Sequence, residues 1–120
     1  MQVAQNTTAT TAITGAAVSF IEMGVGAGAG VAIGCFPSFT ALAAAETVTA
    51  QIIRLDTGAV IGSSTFTNSG AGASSGGPIV VIAPIPAGMA GGIALQVLGS
   101  VATGNVIGSA TAPMTLTTLP

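Results

Sequence analysis

Apolar residues fall in short runs along this chain, and glycine or proline interrupts almost every one. Residues 47–55 (Thr-Val-Thr-Ala-Gln-Ile-Ile-Arg-Leu) alternate with a period of two, which places Val48, Ala50 and Ile52 on one face of a strand. Asp56, Thr57 and Gly58 make a short turn in which Gly58 can take the left-handed backbone such loops need. The return strand, residues 59–67, is apolar at Val60, Ile61 and Phe66. Further strands are predicted over residues 12–22, 31–36, 78–83 and 92–101. After a turn at residues 102–105, a closing strand begins at Val106 and continues through Met114, Leu116 and Leu119. Pro37 ends the second strand, and the Pro-Ile-Pro-Ala-Gly segment 84–88 breaks the run before it. The run 78–83 is apolar at every other position and between, so it predicts a strand covered on both faces.

The remaining segments lack this rhythm. Residues 1–11 are polar and threonine-rich with no hydrophobic period, and read as an extended arm. The glycine-rich segment 24–30 reads as a loop or a bulged edge, and residues 68–77 as a linker-like loop with nothing to bury. Residues 40–46 have helical propensity, but only enough for a short helix or a turn. The expected fold is therefore all-β: one small jelly-roll or β-sandwich barrel of about seven strands over residues 12–120, with an N-terminal arm over residues 1–11. The Gly-Ala pairs have no fixed period, so a solenoid is not expected.

Charge changes the picture more than any motif does. The chain of 120 residues has four charged side chains, Glu22, Glu46, Arg54 and Asp56, and no lysine, histidine, tryptophan or tyrosine. Soluble surfaces usually carry about a quarter to a third charged residues. A surface this poor in ions must be covered by small polar groups, by copies of itself or by a larger neighbour. All four charges lie between positions 22 and 56, so the later strands are expected at contacts between subunits.

The same inventory excludes most chemistry. A serine nucleophile would have no histidine or lysine to activate it. Glu22 and Glu46 are the formal candidates for a glycosidase carboxylate pair, but solvated or turn-associated carboxylates are the expectation, and no enzyme is predicted. Zinc and calcium ligand runs are missing, and no cofactor is expected. Arg54 alone, at a net charge of −2, gives no basis for binding nucleic acid. The segment 24–30 lacks the Lys-Ser/Thr ending of a phosphate-binding loop. Residues 15–36 form the most apolar window, yet Glu22 interrupts it and no basic or aromatic anchors flank it, so no membrane span is expected. The N-terminal residues lack the basic and apolar regions of a signal peptide. Cys35, in the apolar run 31–36, is expected as a buried thiol, or as an intermolecular disulfide where a symmetry axis joins two copies. Arg54 and Asp56, two apart at the turn, are expected to pair with each other.

The strand Val48-Thr49-Ala50-Gln51-Ile52-Ile53-Arg54, the turn Thr57-Gly58, the stretch 60–65, the proline-containing connection 84–88, the strand Ala94-Leu95-Gln96-Val97 and the final stretch 109–116 carry a resemblance. Together they resemble a tail seen in small β-barrel proteins of bacteriophage heads, which are similar to the trimeric jelly-roll family that includes TNF- and C1q-like folds. Several such proteins serve as head cement, decoration or head-fibre proteins. The chain departs from them in having no tyrosine, where related trimers stack aromatic residues along their axis, and in its segment 24–30. The resemblance implies a homotrimeric cement or decoration protein of the virion, on the capsid surface, partnered by itself and by the major capsid protein, with no small-molecule substrate. On that reading Gln2, Val3, Gln5, Asn6, Thr7 and Thr8 of the arm touch the capsid, and Phe20, Phe36, Phe39 and Phe66 form the core or the trimer seam. The alternative is a subunit of an extracellular filament assembled by donor-strand exchange, in which the N-terminal strand completes the neighbour's sheet. A glycan-binding jelly roll is a weaker third class, because sugar sites stack on tryptophan or tyrosine.

Overall fold

A computed structural model of the chain describes residues 1–69, 74–89 and 91–120. Their backbone forms twelve strands and no helix: β1 (Gln2–Asn6), β2 (Thr10–Ala12), β3 (Val18–Gly24), β4 (Val31–Phe36), β5 (Ser38–Leu42), β6 (Thr47–Arg54), β7 (Val60–Thr67), β8 (Ser74–Gly76), β9 (Ile79–Pro84), β10 (Gly92–Gly99), β11 (Asn105–Ile107) and β12 (Met114–Leu119). Two four-stranded sheets carry the fold, one in the order β1-β12-β4-β9 and the other in the order β3-β10-β6-β7. All their pairings are antiparallel. Numbered in chain order, these strands give 1-8-3-6 and 2-7-4-5, the interlocked Greek keys of a jelly roll.

The core lies between the two sheets because each strand alternates in burial. Along β6 it is Val48, Ala50 and Ile52 that are buried, and along β10 Ile93, Leu95 and Val97. Val81 and Ala83 of β9 and Leu116 of β12 face them from the other sheet. Gly34 of β4 lies under Leu95, and a Cβ there would stand 2.5 Å from the Leu95 side chain, so the larger residue fills the space the smaller one leaves.

The remaining strands make a third sheet in the order β2-β11-β5-β8. Each of them lies in a connection that crosses between the two large sheets: β1 to β3, β4 to β6, β7 to β9 and β10 to β12. Together they close that end of the barrel, and Phe39, Leu42 and Val106 extend the core into it. The opposite end keeps the loops at residues 25–30, 55–59 and the described part of 85–91.

Several sequence expectations need correction. Residues 2–6 are not an arm outside the barrel. They are β1, the edge strand of the first sheet, in register with β12 from Gln2–Thr118 to Asn6–Met114. Main-chain pairing is indifferent to side-chain polarity, so a polar strand at an edge leaves no hydrophobic period. Residues 10–12 form β2, so the strand predicted over 12–22 starts only at Val18. The closing strand divides into β11 and β12, while residues 40–46 hold the end of β5 and a turn, the second of the two forms expected there. Part of the loop expected over 68–77 is β8; the rest of it, residues 70–73, lies outside the described residues. Strand β9 is covered on one face only, since Val80 and Ile82 are exposed. The predicted hairpin is the β6–β7 pair, with Gly58 at φ 76° in its turn.

Candidate functional site

The two large sheets present unlike outer faces. On the first, cross-strand partners line up as Val3, Thr117, Ile33 and Ile82, then Gln5, Thr115, Cys35 and Val80, then Leu119, Val31 and Pro84. Ile82 is 67% exposed, Val3 51% and Val80 46%. Val31, Ile33, Cys35 and Leu119 are half-buried. No residue of β1, β4, β9 or β12 is charged.

The second sheet's outer face carries a polar row. Ser19, Gln96, Gln51 and Ser63 are successive partners across its four strands. The Gln51 amide donates to Gln96 Oε1 at 2.8 Å, and the Gln96 amide donates to Ser19 Oγ at 2.9 Å. Thr47 and Thr67 share a hydroxyl–hydroxyl bond of 3.0 Å farther along. Every charged residue belongs to this sheet or to the chain next to it: Glu22 in β3, Arg54 at the end of β6, Asp56 in its turn and Glu46 just before β6. Arg54 donates to Asp56 through Nε at 2.8 Å and through Nη2 at 2.7 Å. That hydrogen-bonded carboxylate holds the guanidinium still farther above its usual range.

At the open end, β1 and β3 diverge around a groove of 820 Å³ lined by Gln2, Val3, Glu22, Met23, Val25 and Leu55 among others. Two bonds tie its walls together: the Asn6 amide donates to the Phe20 carbonyl at 2.8 Å, and the Gly26 N–H donates to Gln2 Oε1 at 3.2 Å. Gln2 and Asn6 thus hold β1 against its own barrel. Of the positions expected to touch a capsid, Val3, Gln5, Thr7 and Thr8 are exposed, and the Thr8 carbonyl accepts from the Gly108 N–H at 3.1 Å.

Glu22 and Glu46 do not face each other. Glu22 aligns with Ile53 through Ala94, and Glu46 lies seven residues down the same strand path. At roughly 3.3 Å per residue this separates them by about 23 Å, well beyond the ~5–9.5 Å of a glycosidase pair. Glu46 is 1% exposed, and its Oε2 has no hydrogen-bond partner among the described residues. No group of three or more metal-ligating side chains occurs among the described residues, and no helix is long and apolar enough to cross a membrane.

The phenylalanines belong to the interior. Phe36 and Phe39 are fully buried, with Phe20 packed edge-on against Phe36 at 5.3 Å between ring centres. Phe20 and Phe66 are half-buried against the same core. None stands on the apolar outer face, whose most exposed residues include Val80 and Ile82, aliphatic positions that sequence reasoning did not single out. The signal was present in the double-sided run 79–84, whose outward half has no cover within the chain.

Compared with known proteins, the chain matches no family model, no curated protein and no solved structure.

Proposed function

We propose that this chain is a non-enzymatic structural protein of a virion: a homotrimeric jelly-roll cement or decoration protein that binds a bacteriophage capsid and stabilises it. The observation that carries this reading is the jelly-roll barrel with one charge-free apolar face, the charged residues all lying in the other sheet or in the chain next to it. A decoration protein needs one surface for its own copies and another for shell and solvent, and these two faces divide in that way. Burying an uncharged face desolvates no ion, so the apolar area covered is not offset by a Born cost.

The filament reading asks the N-terminal strand to leave its own barrel for a neighbour's. Here β1 pairs along its whole length with β12 and is tied to β3 through Asn6. The virion reading is the better supported of the two.

Immunogold labelling of particles from the source culture tests the assignment. Gold on phage heads is the expected result. Label confined to fibres, or particles free of the protein, would overturn it.

A further inference from the structure

We infer that the outer face of the β1-β12-β4-β9 sheet is the surface through which copies of this chain meet one another. The inference deepens the homotrimer reading and rests on it for the number of copies.

No residue of the four strands that build this face is charged. Its rows mix aliphatic residues with threonine: Val3, Thr117, Ile33 and Ile82, beside Gln5, Thr115, Cys35 and Val80. An antiparallel sheet that faces water usually alternates apolar in and polar out. Strand β9 breaks that rule, presenting Val80 and Ile82 outward while Ile79, Val81 and Ala83 fill the core. The second sheet follows it along the row Ser19, Gln96, Gln51 and Ser63, with Val60 of its edge strand β7 the exposed apolar exception. One chain therefore holds both a water-facing sheet and a sheet with the composition of a subunit contact.

The occupant is another copy because of where the charge lies. In a cyclic trimer one part of the face meets a different part of the neighbour's copy of the same uncharged sheet. No like charges oppose and no ion loses its water. A foreign partner with an ordinary charged surface would bring ions against a face that offers them no counter-ion. Packing copies through this sheet also leaves Glu22, Arg54 and Asp56 of every copy outside the contact, where they keep the assembly soluble. Size sets a further condition. A four-stranded sheet about six residues long projects roughly 400 Å², about half of the ~800 Å² that each partner contributes to a stable interface. The uncharged loops at residues 25–30 and 85–89 border this sheet and supply further area, with Ile85 N–H bonded to the Gly30 carbonyl between them.

The test uses the full chain at micromolar concentration, with mass read by light scattering. Ile82→Lys places a cation at the most exposed point of the face. Val60→Lys and Val101→Lys place one at exposed apolar positions elsewhere, 52% and 45% accessible. The expected result is a wild-type oligomer, a fall to 11.3 kDa for Ile82→Lys, and no change for the two controls. Maleimide should also label Cys35, which lies on the face, faster in Ile82→Lys than in wild type. Should Ile82→Lys fail to fold, Ile82→Thr keeps the branched side chain and its mass is read in the same way.

A monomeric wild type overturns the seam and the homotrimer reading together. A wild-type oligomer that survives Ile82→Lys overturns the seam alone. So does a variant that stays oligomeric but no longer binds phage heads, since the face would then belong to the shell. Dissociation by all three lysine variants equally would also sink it.

Discussion

Ala43 and Glu46 close a turn on each other: the Ala43 N–H donates to Glu46 Oε1 at 2.9 Å, and the Glu46 N–H donates to the Ala43 carbonyl at 3.2 Å. The second carboxyl oxygen is buried beside Gly99, where a Cβ would stand 2.8 Å from it, and it has no partner among the described residues. Glu46→Gln keeps the acceptor for Ala43, so its urea midpoint should stay close to that of wild type. Glu46→Ala strands the Ala43 N–H and opens a cavity, and should cost about 1–3 kcal/mol. Equal losses for the two variants would show that the carboxyl does more than hold this turn.

The same turn stores backbone strain. Ala45 sits at φ 60°, held there because its N–H donates to the Asn68 carbonyl at 2.9 Å while the Asn68 side chain donates to the Ala43 carbonyl at 2.8 Å. A left-handed alanine costs roughly 1–2 kcal/mol that glycine does not pay, against a smaller entropic cost of glycine in the unfolded chain. Ala45→Gly should therefore stabilise the protein by about 0.5–1 kcal/mol in chemical denaturation. A destabilised variant would refute the strain argument.

The two large sheets approach each other closely where β7 passes β9. A Cβ on Gly62 would lie 2.7 Å from the Ala83 Cβ and 3.1 Å from the Ile82 carbonyl oxygen. Two of those neighbours are backbone or Cβ atoms that cannot rotate away. Gly62→Ala should then destabilise by about 1–3 kcal/mol, typical of overpacking, whereas Gly58→Asn in the open β6–β7 turn should cost less. Comparable midpoints for the two would contradict this contact.

Alkaline pH isolates a single side chain. Burial raises the Cys35 thiol above its ordinary 9.0, and no tyrosine or lysine titrates beside it. The folded state holds this proton more tightly than the unfolded state does. That stabilisation is complete below the ordinary thiol value and is lost as pH rises through the raised folded value. Between about pH 8 and pH 10.5 the wild-type urea midpoint should fall, and the fall should be smaller in Cys35→Ala. Parallel slopes for the two proteins would rule the thiol out as the cause.

Much of the fold could be read before any coordinates. The alternation of Val48, Ala50 and Ile52, followed by Asp56-Thr57-Gly58, marked the β6–β7 hairpin because a half-buried strand repeats every two residues. The interior was legible less fully: Phe36 and Phe39 are buried in it, one of the two places the sequence left open for them. What escaped were elements fixed by distant partners. Strand β1 pairs with residues more than a hundred positions away and β2 with residues over ninety away, and polar side chains at an edge leave no periodic trace.

The candidate surface divides in the same way. Composition alone raised the expectation of a covered surface, because four charged side chains are few for 120 residues in water. It could not say where. Counting along the chain pointed to the uncharged C-terminal half, yet the bare face is built from both ends, with β1 and β4 beside β9 and β12, while β10, from that same half, lies among the charged strands. Only the jelly-roll crossing order decided this. It deals successive strands alternately to opposite sheets, so neighbours in sequence are separated in space and residues as distant as Val3 and Ile82 come to share one surface.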